Sequence, residues 1–420
     1  MRVEQLFTQA LALVEPWKVV LSELDLESKT LTLEIDFTRG ARFPDPDSGE
    51  LCTVHDTVKR KWQHLNFFQY HTIITARVPR ITTPSGAVLT VQVPWAVKSS
   101  GFTLLMEAYL LMMAKVLPIR EIERQTGVSD DRIWHLINSR VDEAWEEASW
   151  EGLERLGVDE TSTRKGHKYG TAFMELTNEQ REGESETCHV ARLLFFTPGK
   201  GKDTFKEFVA ELQRRQISPE AIQEVAMDMS PSFIAGAGEH FPKASLCFDR
   251  FHVMKLCGEA IEKVRKQVAR ECGGLGKGAL WALRGNVERL SEKQRRLREA
   301  ICQEHRSIAR ALSLRDFLAD LWRYTCREDA ESHFESVISW CSRSRLQPFV
   351  ELGRSLRRHK EGILGYYKNY TTSAAIEALN GLLQVARRRA RGYRCFRNFR
   401  SIAYWIAGRL VLRNNIAFTH

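Results

Sequence analysis

With 420 residues, 43% of them hydrophobic, the chain is long enough for a sizeable packed core and for about two to four structural units. Its formal net charge of +9 points to a polyanionic partner, nucleic acid first. The best apolar stretch, LLMEAYLLMMAKVL (104–117), is short and carries Glu107 and Lys115, so it reads as a buried helix and excludes a membrane span there. The nine cysteines are scattered without a CxxC pair, which excludes a disulfide scaffold and fits reduced thiols. The first residues, MRVEQLFTQALALVEPW, have no cleavage signature, so a soluble cytoplasmic protein without membrane partners is expected.

Residues 1–100 alternate in LTLEIDF (31–37), HTIITARV (71–78) and AVLTVQVPW (87–95), the pattern of half-buried strands. From 101 to 150 the period becomes helical. FTLLMEAYLLMMAKV, PIREIERQ and SDDRIWHLINSRVDEAW are separated by short breaks, and Ser129 is placed to cap the third helix. That layout predicts a helix-turn-helix, with Arg132, His135, Asn138, Ser139 and Arg140 able to face DNA.

From 151 to 256 the order is three strands, LERLGVD (153–159), KYGTAFMELT (168–177) and CHVARLLFFT (188–197), then a helix at 203–215. A strand at 222–228, a short helix, a strand at 244–249 and a long helix from Arg250 follow. This predicts a mixed sheet with helices packed on it. Residues 257–370 are charged and helically periodic, an all-helical insertion. A last helix is expected over 371–390 within a closing segment 371–420. The run RRRARGYRCFRNFR (387–400) holds seven arginines and no acid, the footprint of phosphate binding.

Three acids stand out. Asp159 ends the first strand, Asp228 ends the fourth, and Glu377 sits on the last helix. Strands one and four can lie side by side and parallel, with both aspartates at the carboxyl edge where such sheets bind ligands. Clustered carboxylates suit Mg²⁺, and two such ions about 3.5–4 Å apart can serve displacement at phosphorus. Asp249 competes with Asp228 because it too ends a strand, and Glu160 and Glu175 are weaker rivals.

The segments VDETSTRKGHKYGT, AMDMSPSFIAGAGEHFPKASLCFDRFHVMKL and TTSAAIEALNGLLQVARRRARGYRCFRNFR resemble the DDE transposases of the ISL-three family of bacterial insertion sequences. The likeness runs over most of the chain and takes in KWQHLNFFQYHTIITARVPRI and VPWA. It implies an α+β multidomain chain. An RNase H-like catalytic core with a helical insertion would be preceded by a small β-rich module and a helix-turn-helix. It also implies a nucleoid-associated bacterial protein that cleaves transposon ends and joins them to target DNA, using two Mg²⁺ or Mn²⁺ ions held by Asp159, Asp228 and Glu377. The spacings are 228 − 159 = 69 and 377 − 228 = 149, the longer gap holding the insertion. Asp249-Arg250-Phe251-His252 matches the family's Asp/Cys-x-x-His motif, which makes Asp249 and His252 accessory. His252 then either positions DNA or makes a core hydrogen bond.

The N-terminal module departs from the family pattern. Phe43, Pro46 and Thr83 stand where zinc-binding cysteines are common, leaving Cys52 and His55, so the module is expected without zinc. DNA contacts are then expected from Lys59, Arg60, Lys61, Arg77 and Arg80, with Arg132 and Arg140 on the helix pair. In the later part they are expected from Arg164, Lys165, Lys168, Arg387, Arg388, Arg389, Arg391 and Arg394. Assembly on two DNA ends implies a homodimer or larger.

Overall fold

The computed structural model of the chain describes residues 2–164, 168–180, 187–285, 289–369 and 374–412. The chain forms two compact units, one up to Glu146 together with Val411 and Leu412, the other Glu147–Leu410. Among the described residues no helix is long and apolar enough to cross a membrane.

The first unit contains helix α1 (Val3–Ala10) and strands β1 (Trp17–Asp25), β2 (Thr30–Phe37), β3 (Arg42–Pro44), β4 (Leu51–Phe67), β5 (Tyr70–Thr82) and β6 (Val88–Thr90). The sheet order is β1-β2-β5-β4-β3 with β6 on β5, and only β2 and β5 run parallel. Ile74, Ala76 and Val78 of β5 point inward with period two, while Arg77 between them is exposed. Trp95 meets Trp17 and Trp62 edge-on at 5.0 and 5.6 Å in the core beneath. The alternation expected over 87–95 makes a strand only over Val88–Thr90; beyond it Pro94 cannot donate to a ladder, and Val93 and Trp95 turn into the core. Strands β1 and β4 are charged at many positions and bury few side chains, so their alternation is weak in the sequence.

Three helices complete this unit: α2 (Leu104–Val116), α3 (Ile119–Thr126) and α4 (Asp130–Glu147). Thr103 caps α2 through Oγ1, which accepts from the Met106 amide at 3.4 Å. Gly127 closes α3 in the left-handed conformation, φ 69°, and Asp130 and Asp131 occupy the first turn of α4 as the dipole favours. The β-rich part and the three helices lie within one compact unit.

Thr103 Oγ1 also lies 2.8 Å from His64 Nδ1. Burial pushes the His64 pKa down from 6.5 to about 4, so the folded chain holds it neutral. The unfolded chain then binds more protons between these values, and stability must fall as pH drops from 6.5 toward 4. The expected loss is about 3 kcal/mol across that window. Denaturant unfolding at pH 7 and pH 4.5 should show that His64→Gln flattens this slope; an unchanged slope contradicts the assignment.

The second unit is built on a five-stranded sheet of β7 (Arg155–Arg164), β8 (Lys168–Gln180), β9 (Thr187–Pro198), β10 (Glu224–Met227) and β11 (Ser245–Phe248), in the order β11-β10-β7-β8-β9. The first three form an antiparallel meander, and β10 and β11 run parallel to β7. Helices α5 (Lys202–Arg214) and α6 (Pro231–His240) follow β9 and β10. Phe173 of β8 stacks on Phe208 of α5 at 4.4 Å. On β9, Phe195 faces Phe208 on that side, while its neighbour Phe196 meets Phe399 of a C-terminal helix, so alternate residues serve opposite faces.

The insertion comprises α7 (Arg250–Glu271), α8 (Ala279–Arg284), α9 (Glu292–Glu304), α10 (Arg306–Ala319), α11 (Arg327–Arg343), α12 (Gln347–Arg358), α13 (Lys360–Leu364) and α14 (Tyr366–Asn369). Helix α7 buries Val253, Cys257, Ala260, Ile261, Val264 and Val268, one stripe against α10 and α12. It starts at the sheet edge and runs unbroken past residue 257, so the sheet and the insertion share a helix rather than meet at a linker. Two last helices, α15 (Ala374–Arg389) and α16 (Phe396–Ala407), return to the sheet.

Candidate active site and nucleic-acid interface

The strand register places the acids. Ala226 of β10 pairs with Gly157 of β7, so two residues further along each strand stand Asp228 and Asp159. Met227 pairs with Phe248 of β11, which puts Asp249 next to Asp228 on the other side. The three aspartates therefore form a row across three parallel strands, about 4.8 Å apart per step. They line one cavity of about 410 Å³ together with Glu377, Asn380, His252 and Phe251. The sheet thus brings Asp159, Asp228 and Asp249 together, and α15 brings Glu377 to the same space.

Burial, with smaller repulsion from Asp228 and Asp249, pushes the Asp159 pKa up to about 6. The Glu160 amide donates to its Oδ1 at 2.7 Å, and Asn380 Nδ2 donates to its Oδ2. Asp228 accepts from the Ser230 amide at 2.9 Å. Asp249 caps α7, its Oδ1 accepting from the Phe251 amide at 2.9 Å, while its Oδ2 lies 3.0 Å from His252 Nδ1. That bond raises the His252 pKa. Glu160 lies on the opposite face of β7 from Asp159, as alternation requires. Glu175 pairs with Arg192 on β9.

The four acids of the cavity fit a hard divalent cation, carboxylates of which one is desolvated and held above its usual range, with His252 and Cys247 also in the lining. Among the described residues, however, no three His, Cys, Asp or Glu side chains stand close enough to enclose an ion as they are. In the first unit Cys52 is buried in the core opposite Phe43, and His55 is exposed beside Asp56.

Sequence reasoning missed Gly157, Asn380 and Gln384. The signal was present as the i, i+4, i+8 spacing of Ile376, Asn380 and Gln384 on α15. A Cβ on Gly157 would lie 3.0 Å from Ile376 Cδ1 and 3.1 Å from Leu176 Cδ2, so the glycine lets α15 settle on β7 beside Asp159. Gly157→Ala should cost about 1–2 kcal/mol, read by thermal melting, by pushing α15 away from β7.

The basic residues fare unevenly. Lys59, Arg60 and Lys61 are exposed on β4, with Arg60 on the opposite face from its neighbours. Arg77 and Arg80 are held by Asp36 and Asp56. Arg132 donates to Gln63 Oε1 at 3.0 Å and lies over the Phe102 ring. His135 is exposed, Ser139 donates to Glu143, and Asn138 is buried. Arg140 corrects the expectation: it is 7% exposed and bound by Glu107 at 3.0 and 3.1 Å, so it faces the interior and not DNA. Lys165 lies outside the described residues, as does the Arg164 side chain; Lys168 is exposed. Arg387 donates to Ser162 of β7, Arg389 is half-buried, and Arg388, Arg391 and Arg394 are exposed.

Residues 91–141 match the helix-turn-helix domain of transposase family ISL3. Residues 156–403 match the DDE transposase of the same family, well over half of the chain, and the chain belongs to that family. It is similar to the transposase for insertion sequence element IS1001 of Bordetella parapertussis, 23% identical over 87% of this chain and 89% of the relative. It is also similar to the transposase for insertion sequence element IS1557 of Mycobacterium tuberculosis, 24% identical over 80% of this chain and 78% of the relative.

Proposed function

We propose that the chain is the transposase of an insertion sequence, which binds the element's inverted-repeat ends, cleaves there, and joins the freed 3′ ends to target DNA. The observation that carries this is the row of aspartates on adjacent parallel strands with Glu377 across the same cavity. The sheet order and the helical insertion support reading the second unit as an RNase H-like core. The helices of 104–147 support a helix-turn-helix that reads end sequence, with the exposed lysines and arginines holding phosphates.

Asp159, Asp228 and Glu377 are the residues that would hold two Mg²⁺ or Mn²⁺ ions. When bound, these supply activation of a water or 3′-hydroxyl and stabilisation of the leaving oxygen. The rest is done by the chain. Burial of Asp159 disfavours its bare charge and so favours a partner cation over solvent. Asp249 and His252 form a hydrogen-bonded pair at the cavity wall that can orient a phosphate through the imidazole. The arginines after residue 387 extend positive charge from the end of α15. Acting on two ends requires at least two copies.

The test is a strand-transfer assay on linear duplexes carrying the element's own ends with Mg²⁺. Joined product is expected from the wild type, with none from Asp159→Ala or in excess EDTA. Cleavage that persists in both would overturn the reading. Specific end binding without cleavage by the wild type would favour a non-catalytic DNA-binding relative.

A further inference from the structure

One face of α15 follows β7 rung by rung. Ile376 rests on Gly157, Asn380 donates to Asp159, Gln384 donates to Thr161, and Arg387 donates to Ser162. The match is geometric. Over the first three contacts four helical residues rise about 6 Å and two strand residues about 6.6 Å, so each step of the helix meets the next strand position on that face, whereas Arg387 reaches the adjacent Ser162. Of these rungs only Asn380 touches a carboxylate. Its amide also fixes the turn of α15 that carries Glu377, one residue along from the Ile376 contact.

We propose that Asn380 is a positioning residue for the metal-holding acids: its side-chain amide sets the orientation of the Asp159 carboxylate and the register of Glu377 toward the shared cavity. This rests on reading Asp159 and Glu377 as the acids that hold the cations. The two oxygens of Asp159 are each pinned by one donor, the Glu160 amide and Asn380 Nδ2, and each keeps a further lone-pair direction for a cation. The carboxylate requires a donor, which settles which end of the Asn380 amide faces it. Among the described residues Asn380 Oδ1 is buried with no hydrogen-bond partner, and it belongs to a residue lining the cavity, a cost expected where the side chain is set for function rather than for packing.

The test is calorimetric titration of Mn²⁺ into the full-length protein without DNA, alongside thermal melting. Asn380→Ala should weaken Mn²⁺ binding about 10–100-fold, the usual effect of losing a partner that orients a ligand. Its strand transfer should recover as Mg²⁺ is raised. Gln384→Ala removes a rung of the same chemistry that touches no acid, and should leave Mn²⁺ affinity within about threefold of wild type. If Asn380→Ala does not fold, Asn380→Leu, of similar shape and without a donor, carries the same expectation. Equal weakening by Asn380→Ala and Gln384→Ala would mean the amide only docks the helix, and no weakening by Asn380→Ala would also overturn the proposal. Asp159→Ala separates the two levels. If it abolishes Mn²⁺ binding while Asn380→Ala does not change it, the positioning role fails and the acid site stands. If Asp159→Ala itself leaves binding intact, the acid-site reading fails.

Discussion

On the proposed function, Asp228→Asn is expected to abolish cleavage and strand transfer, a loss of at least about a thousandfold, while Asp249→Asn is expected to retain measurable activity. The two residues compete in sequence because both end a strand. In the fold they are not equivalent. Asp228 stands one strand from Asp159, about 4.8 Å between backbones, whereas Asp249 stands two strands away, about 10 Å. Asp249 is also engaged by its own helix, capping the Phe251 amide with one oxygen and meeting His252 with the other. Asparagine preserves the cap and much of the packing, so its effect isolates charge. The measurement is the rate of strand transfer by both variants on the same duplexes. Loss confined to Asp249→Asn would make that residue the second ligand and move the site one strand toward the sheet edge.

Glu107→Ala is expected to destabilise the first unit by about 3–5 kcal/mol. Glu107 is fully buried on α2 and receives the Nε and Nη2 edge of the Arg140 guanidinium from α4, with Ser100 Oγ donating to it as well. Burial alone would lower the Arg140 pKa, but Glu107 and Glu143 more than offset it and the pKa is raised. Removing Glu107 leaves Arg140 in the interior with only the half-exposed Glu143 for compensation. A loss of that size is a large part of the stability of an ordinary domain. Replacing both partners, Glu107→Leu with Arg140→Met, should recover most of it, because it is the unpaired charge rather than the missing bond that costs. Denaturant unfolding of the two variants checks this. A loss under about 1 kcal/mol in Glu107→Ala would mean the pair is solvated and Arg140 is available to a ligand after all.

These two cases divide what could be read in advance from what could not. Asp159, Asp228 and Glu377 stood out locally because GVD and AMD each close an apolar run and AAIEALN is periodic, but Asp159 does not end its strand as expected: β7 continues to Arg164 against β8, and only its pairing with β10 stops before Asp159. The pairing of Asp228 with Asp159, on the other hand, follows from β10 lying beside β7, a contact across 69 residues of chain. Arg140 looked like a DNA contact because an arginine on an amphipathic helix is usually solvated. Only the approach of Glu107, 33 residues earlier, turns it inward. Strand β4 went unread for the opposite reason: its inward positions mix Cys52, Val54 and Trp62 with Asp56 and His64, so no clean hydrophobic period marks it.

Local chemistry thus determined most of the elements, the family motifs and which acids stand out as candidates, since caps and periodicity depend on neighbouring residues. The tertiary structure alone decided which acids stand together, which arginine is buried, and that Asn380 meets Asp159. Those depend on strand order and helix register, and both are settled by long-range packing that no short stretch of the chain contains.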